Sequence, residues 1–451
     1  MLALLTVLAA AVVGNDPAPQ QPTYAIVNVS VVPMDRERVL AGQTVVVRGD
    51  RIVAMGPTAS TEVPAGAVRI EGRGKYLMPG LAEMHGHIPP GQVVPDSTIE
   101  RILALFALNG VTTVRGMLGD PRHLPIRDRA ARGEILSPTI YTSGPSLNSN
   151  SVKTGQDAID SVTKYAKAGY DLLKIHPGIK RGVFDTLAAT AKAVGIRFAG
   201  HVPLDVGIER AIELGYWTVD HFDGYIEGLV PSSGPLTPQE TGFFGLGLVD
   251  RVDESRLAQL AAKTKAQGVW MVPTETLMRY VTGGYTIEEL RNWPEMKYWS
   301  KAGLEAWAKQ TAGFKGANEP PKATRDRYIA LRRKIISTFH KAGVGFLLGS
   351  DAPQIWNVPG FSIFRELEYL VDAGLTPYQA LESGTRNVAV HFGTEAERGT
   401  VAAGKRADLI LLDGNPLSAI SNVRKQAGVM VGGRWLPRSE IAQRLRALEA
   451  Q

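Results

Sequence analysis

Apolar and polar residues follow two different patterns along this chain. From Ala25 to about Arg69 the apolar residues fall in short runs rich in Val and Ile, "YAIVNVSVV", "QTVVVRGDRIVAMG" and "AVRIEG", separated by turn residues. Alternating β-branched runs of this length predict strands, and the Arg48-Gly49-Asp50-Arg51 turn between two of them predicts a hairpin. The same texture returns near the C-terminus in "GKRADLILLDGN" and "VRKQAGVMVGGRWL". Two β-rich ends around a different middle predict a small β-sandwich domain assembled from both termini, over residues 22–78 and 400–440.

Between about Pro79 and Gly399 the pattern alternates. Apolar runs of strand length, "KYLMPGLAEMH", "GVTTVRGM", "PTIYTSG", "YDLLKIHPG", "IRFAGHV", "YWTVDHFDG", "VWMVPT" and "VGFLLGSDAP", are each followed by a segment of helical periodicity. Helices are expected around Asp157–Ala168, Val183–Val194, Val206–Leu214 and Glu254–Gln267. Repeated strand–helix units with near-continuous apolar strands predict an α/β fold, a (β/α)8 barrel over residues 79–399. After the seventh run comes a long Trp-rich helical excursion, "NWPEMKYWSKAGLEAW". Such tryptophans usually serve core packing, and a lid over substrate is the alternative.

Composition narrows the field. With 451 residues the chain exceeds one ordinary core, which fits a large domain plus a small one. The net charge of +6 is small for this length and there is no dense Lys/Arg run, which argues against nucleic acid as a partner. The absence of cysteine excludes disulfides and thiolate metal sites, so any metal is held by His, Asp, Glu or lysine-derived oxygens. The start, "MLALLTVLAAAVVGNDPAPQQP", has an apolar run from Leu2 to Val13 that is too short to span a bilayer but fits a secretory signal over residues 1–21. No Lys or Arg precedes that run. The expectation is export, periplasmic or secreted, without stable membrane insertion; the location is cytoplasmic if the segment is not a signal.

The candidate chemistry gathers at strand ends. Among only eight histidines, His85 and His87 stand two apart in "GLAEMHGHIPP", a spacing that points both imidazoles to one side of a strand. Lys174 falls in the fourth run, His201 and His221 end the fifth and sixth, and Asp351 ends the eighth. Barrel active sites are built at those ends. A lone strand-end histidine is more often a hydrogen-bonded structural residue, and a lone aspartate is often a helix N-cap. Six such residues on one rim are not explained that way.

These motifs, "PGLAEMHGH", "KIHPG", "AGHV", "VDHFDGY", "GSDAP" and the closing "GKRADLILLDGNP", resemble the amidohydrolase superfamily in its two-metal form, over nearly the whole chain after residue 21. The resemblance implies that His85, His87 and Asp351 hold a buried divalent metal and that His201 and His221 hold a more exposed one. Lys174, carboxylated by carbon dioxide, would bridge the two. Neutral histidine and oxygen ligands suit zinc best, with manganese, cobalt and iron as alternatives. It further implies a metal-bridging hydroxide that attacks the substrate carbonyl, with Asp351 as the proton shuttle to the leaving amine.

Within that superfamily the sequence is similar to prolidase-like and imidazolonepropionase-related hydrolases. Tyr225, four residues after His221, matches a tyrosine that in prolidase-like members points at the substrate carbonyl. His176 shares the strand face of Lys174 and is a candidate supporting group. The loop "TSGPSLNSNSVKTG" lacks the Gly-Gly-His of dipeptidases, which puts strict dipeptidase activity in doubt; Asn148 is a candidate substitute donor. Arg115 pairs either with a substrate carboxylate or with a neighbouring acid. Trp356, in "GSDAPQIWNVPG", is expected near the rim and hints at a bulky apolar substrate group. The leading expectation is hydrolysis of the amide bond of a small molecule, an N-acyl amino acid or dipeptide. The alternative is a cyclic amide, lactone or other ester at the same metals, and a metal-free binding protein stands third. Aromatic deamination fits less well, because deaminases of this superfamily generally use one metal and do not need the lysine. Homo-oligomerisation is left open.

Overall fold

A computed structural model describes residues 22–90, 94–231, 234–315 and 319–449; the expected export segment lies outside them. The first strands are β1 (Thr23–Val31), β2 (Leu40–Arg48), β3 (Arg51–Pro57), β4 (Val68–Glu71) and β5 (Tyr76–Pro79). The middle contributes β6 (Leu81–Gly86), β7 (Val111–Gly116), β8 (Thr139–Thr142), β9 (Leu172–Ile175), β10 (Arg197–Gly200), β11 (Thr218–Asp220) and β12 (Trp270–Val272). The last are β13 (Leu409–Leu412), β14 (Gln426–Val431) and β15 (Arg434–Pro437).

The two chain ends meet as expected, but in one sheet. Its order is β15-β14-β13-β5-β1-β2-β3, with β4 paired to β1. The predicted hairpin is β2–β3, turned at Gly49-Asp50 with Gly49 at φ 57°. The far end of the sheet curls back, so that Ile52 N donates to Lys405 O at 2.9 Å and Ala407 N to Asp50 O at 2.8 Å. The expected sandwich is thus a single hydrogen-bonded sheet wrapped around one core that includes Ile26, Val45, Val47, Leu77, Leu409 and Met430.

The run "KYLMPGLAEMH" is not one strand. It splits at Gly80 into β5, which joins the terminal sheet beside β13, and β6, which starts the middle. A Cβ on Gly80 would lie 2.2 Å from Thr112 Oγ1, so only glycine lets the chain cross there.

In the middle, β6-β7-β8 form one parallel sheet and β9-β10-β11-β12 another. Every residue of β6, β7 and β9 is buried, as expected of parallel strands covered on both faces. Backbone bonds continue past the sheets: Gly144 N to Leu172 O (3.0 Å) and Leu147 N to Lys174 O (2.9 Å) link the β8 end to β9. The eighth expected strand pairs only locally. Leu347 N donates to Met271 O (2.9 Å) and Met84 N to Leu348 O (2.8 Å), which seats residues 346–348 between β12 and β6.

The helices fall where the periodicity placed them, for example Gly155–Ala168 and Arg181–Val194. The first opens on a capping box made by Thr154 and Asp157 and ends on Gly169 at φ 82°. The Trp-rich excursion is core: Trp299 stacks on Trp307 at 4.7 Å, and Trp356 is fully buried beside Trp307, its Nε1 donating to Thr311 Oγ1 at 2.8 Å. Trp356 therefore supplies no rim surface. No helix among the described residues is long and apolar enough to cross a membrane.

Candidate metal centre

The C-terminal ends of β6, β9, β10 and β11 and of the 346–348 segment bring six predicted residues to one small cavity of about 150 Å³: His85, His87, Lys174, His201, His221 and Asp351. His87 Nε2 lies 2.7 Å from Asp351 Oδ1, and the ring of His85 stands 5.3 Å from that of His87. His221 stands 4.4 Å from His85 and 4.7 Å from His201, centre to centre. Lys174 Nζ is 3.2 Å from His85 Nε2. His176 also lines the cavity, stacked on His201 at 4.9 Å, with Nδ1 2.6 Å from Ser146 Oγ.

Three histidines have their tautomer set by a neighbour. His85 Nδ1–H donates to Asp220 Oδ2 (2.7 Å), and His201 Nδ1–H to Asp223 Oδ2 (3.0 Å). The single hydroxyl proton of Thr274 goes to Pro273 O (2.7 Å), so its oxygen accepts from His221 Nδ1–H (2.7 Å). Each bond leaves the Nε2 lone pair of its histidine as the available ligand. Burial, reinforced by Lys174, holds His85 well below the usual histidine range and His201 at about 3. Burial, and then the neighbouring His85, lowers His221 in the same way. Neutral imidazoles are what a cation requires.

The donor set fits a divalent metal on the structure's own terms. His85, His87 and Asp351 offer ligand atoms that all lie within 4.8 Å of one another. His87 Nε2 and Asp351 Oδ1 are buried and close, yet neither has a hydrogen-bond partner; His85 Nε2 stands 3.8 Å from the same Asp351 oxygen. Buried polar atoms left so are rare and costly, and a shared cation satisfies both. Lys174 is fully buried, and burial lowers its ammonium to about 8 against the pull of Asp220 and Asp351.

The backbone around these candidate ligands is strained in a regular way. His221 (φ 64°), Phe222 (φ 59°), Thr274 (φ 52°) and Asp351 (φ 67°) all adopt left-handed conformations where strands end. Such residues cost about 1–3 kcal/mol each and persist only where surroundings enforce them. Arg332 is one enforcer. Fully buried on the helix Lys322–Lys341, it donates to His221 O (2.9 Å), Pro273 O (2.9 Å) and the Glu275 carboxylate (2.8 Å). Glu83, within β6, is another: it accepts from His85 N (3.1 Å) and Ser350 N (2.8 Å), tying β6 to the residue before Asp351, and burial raises its carboxyl to about 7.

The remaining predicted residues lie elsewhere. Tyr225 is fully buried behind the strand ends, packed against Phe222 and Phe339, with its hydroxyl 3.0 Å from Thr264 Oγ1. The glycine preceding it, left-handed at φ 80°, opens the helix Tyr225–Gly228. Asn148 closes its own loop: Oδ1 accepts from Asn150 N (2.8 Å) and Ser151 N (3.3 Å), and Nδ2 donates to Ser146 Oγ (3.1 Å). Arg115 resolves to the neighbouring acid. It is fully buried, with Nε donating to Met84 O (2.7 Å) and Nη2 within 3.5 Å of Asp220 Oδ1, and so it braces the carboxylate that holds His85.

Asp220, Asp223, Thr274, Glu83 and Arg332 were not anticipated. Asp220 and Asp223 flank His221 inside "VDHFDGY" and were within reach of the sequence. Arg332 left a fainter sign, a charged residue in phase with Tyr328, Leu331, Ile335 and Phe339 on the buried face of its helix.

The chain is 24% identical over 395 residues to the adenine deaminase of Ruegeria sp. (strain TM1040), covering 83% of this chain and 51% of the relative. It spans about half the length of the curated relatives it matches. Its fold is shared with bottromycin amidohydrolase (TM-score 0.71, 21% identity, 95% of this chain and 91% of that one). It is also shared with a Xaa-Pro dipeptidase crystallised with methionine in its active site (TM-score 0.65, 19% identity, 92% of this chain and 100% of that one). The amidohydrolase family profile matches residues 76–436, and the chain belongs to the amidohydrolase family.

Proposed function

We propose that the protein is a metal-dependent hydrolase of a carbon–nitrogen bond, acting on an amide such as an N-acyl amino acid or a dipeptide. The observation that carries this reading is the buried pair His87 Nε2 and Asp351 Oδ1, 2.7 Å apart without hydrogen-bond geometry, within a cluster of neutral imidazoles. In this reading His85, His87 and Asp351 would hold one divalent ion, His201 and His221 would hold a second, and carboxylated Lys174 would offer an anionic oxygen to each, with zinc the best match to the donors. When bound, the ions polarise the carbonyl and lower the pKa of water.

The chain's own residues supply the rest. The lowered pKa of Lys174 raises its neutral amine fraction. That amine forms an N–C bond to carbon dioxide and releases a proton, which leaves an anionic carbamate. Asp220 and Asp223 keep the Nδ1 protons of His85 and His201 in place. Asp351, with one oxygen beside His87 and the other 3.8 Å from His221 Nδ1, takes the proton of the attacking water and delivers it to the leaving nitrogen. The two parallel sheets and residues 346–348 are read together as one (β/α)8 barrel, supported by the backbone bonds at β8/β9 and between 346–348 and β6.

The curated relatives favour a second reading, deamination of an adenine-like ring. Assay of the purified protein on N-acyl amino acids, dipeptides and adenine separates the two. Metal analysis is expected to find about two equivalents, and chelation to abolish turnover; one equivalent in fully active protein overturns the bridged design.

A further inference from the structure

Beside the 150 Å³ metal-side chamber lies a second cavity of about 1130 Å³, and His201, Phe243 and Phe244 line both. Phe244 stands between them. Its ring centre is 5.1 Å from that of His221 and 5.9 Å from that of His201, and Phe243 packs edge-on against it at 4.7 Å. Phe244 is held at φ 47° and ψ 46° within Gly242-Phe243-Phe244-Gly245, and its carbonyl accepts from the buried Tyr328 hydroxyl at 3.1 Å. A bulky side chain in that conformation is an outlier, and such outliers cluster at ligand clamps.

The two spaces differ in chemistry. Apart from the candidate metal ligands and His176, the described residues lining the small chamber are Phe243, Phe244, Leu277, Gln310, Phe314, Gln354 and Ile355, none of them charged. The larger cavity carries charges of both signs, among them Lys180, Arg181, Arg210, Asp205 and Glu213. A charged group seated in the small chamber would find no counter-ion beyond the metal centre itself, whereas an apolar group gains from leaving water. Small-molecule sites commonly occupy about 300–1,000 Å³, so the small chamber holds only part of a substrate, and the adjoining space bordered by His201, Phe243 and Phe244 has room for the rest.

We infer that Phe244 is the specificity-determining wall of this site: it admits a compact, uncharged apolar group to the metal side and directs the polar or charged remainder of the substrate into the larger cavity. The inference rests on the amide-hydrolase reading and narrows it to amides with a compact apolar acyl group.

The test uses metal-loaded wild type, F244A and F244W. Turnover is measured on N-acyl-L-alanines from acetyl to decanoyl, and calorimetric binding on alkyl hydroxamates of matching length. A single methylene in a fitted apolar pocket changes discrimination by about 10–200-fold. F244A is therefore expected to raise the decanoyl-to-acetyl ratio at least about tenfold in both measurements, and F244W to lower it. Ratios unchanged in both metal-replete variants overturn the wall. If no N-acylalanine is cleaved but the hydroxamate profile shifts, the amide reading fails and the wall stands; cleavage without a shift means the reverse. Should F244A not fold, F244W and the hydroxamate series still decide.

Discussion

Replacing Arg332 by methionine separates holding the metal site in shape from holding the protein together. The guanidinium serves three acceptors at once: Glu275, the carbonyl of His221 and the carbonyl of Pro273, each within 2.9 Å. Removing it strands the Glu275 carboxylate in a fully buried position, a loss of about 3–5 kcal/mol for a broken buried pair. It also frees the left-handed turns at His221 and Thr274, whose hydrogen bond orients the His221 imidazole. Groups that orient a metal ligand contribute about 10–100-fold to metal affinity, so R332M should weaken binding of the metal proposed at His201 and His221 by that factor. The ion at His85, His87 and Asp351 should be affected less. The double variant R332M/E275M removes both charges, and apolar replacement of a buried pair is often neutral in stability. Its thermal midpoint should therefore return toward wild type while the metal affinity stays low, because nothing replaces the donors to His221 O and Pro273 O. The readouts are calorimetric melting and competitive metal titration. If metal affinity recovers together with stability in the double variant, Arg332 is structural filler and the argument fails.

Three further perturbations probe the centre. Lys174→Ala should lose at least one metal and nearly all turnover, with partial rescue by added short carboxylates; retention of both metals and full turnover would make the lysine merely structural. Asp351→Asn should lower turnover by about 10²–10⁴-fold in metal-replete protein, more for anilides than for activated esters, whose leaving groups depart unprotonated. Equal losses on both substrate types would confine Asp351 to a ligand role. Tyr225→Phe should remove only the bond to Thr264, about 0.5–1.5 kcal/mol of stability, and leave kcat/KM unchanged; a large kinetic loss would restore its contact with the substrate carbonyl.

Much of the fold and site was legible because its determinants are local. The alternation of apolar runs and helical segments specifies parallel strands covered on both faces, and strand ends mark where chemistry gathers. The His85/His87 spacing, the buried Lys174 in "LLKI" and the strand-end His201, His221 and Asp351 were therefore readable residue by residue. The terminal β-rich segments were readable as partners for the same reason. What they build was not: a sheet that curls until Ile52 meets Lys405 depends on twist and closure, which no short window encodes.

The errors share one cause, the direction in which a side chain leaves the backbone. Tyr225, Asn148 and Trp356 sit in the right loops, but a left-handed turn or a buried partner engages Tyr225 and Trp356, and Asn148 is taken up by bonds within its own loop. Arg115 could be read as facing substrate or acid, and only the position of Asp220 on a neighbouring strand decided it. Arg332, 111 residues beyond the His221 carbonyl that it holds, joins the site because a helix packs across the strand ends. By itself the sequence determined the candidate donors and the chain segments that carry them, since these follow from periodicity and local chemistry; their assignment as metal ligands is what the family resemblance implies. Which nitrogen His85, His201 and His221 offer, which backbone is held under strain and which aromatic ring lines both cavities were decided by tertiary packing alone, because each depends on contacts between residues far apart in the chain.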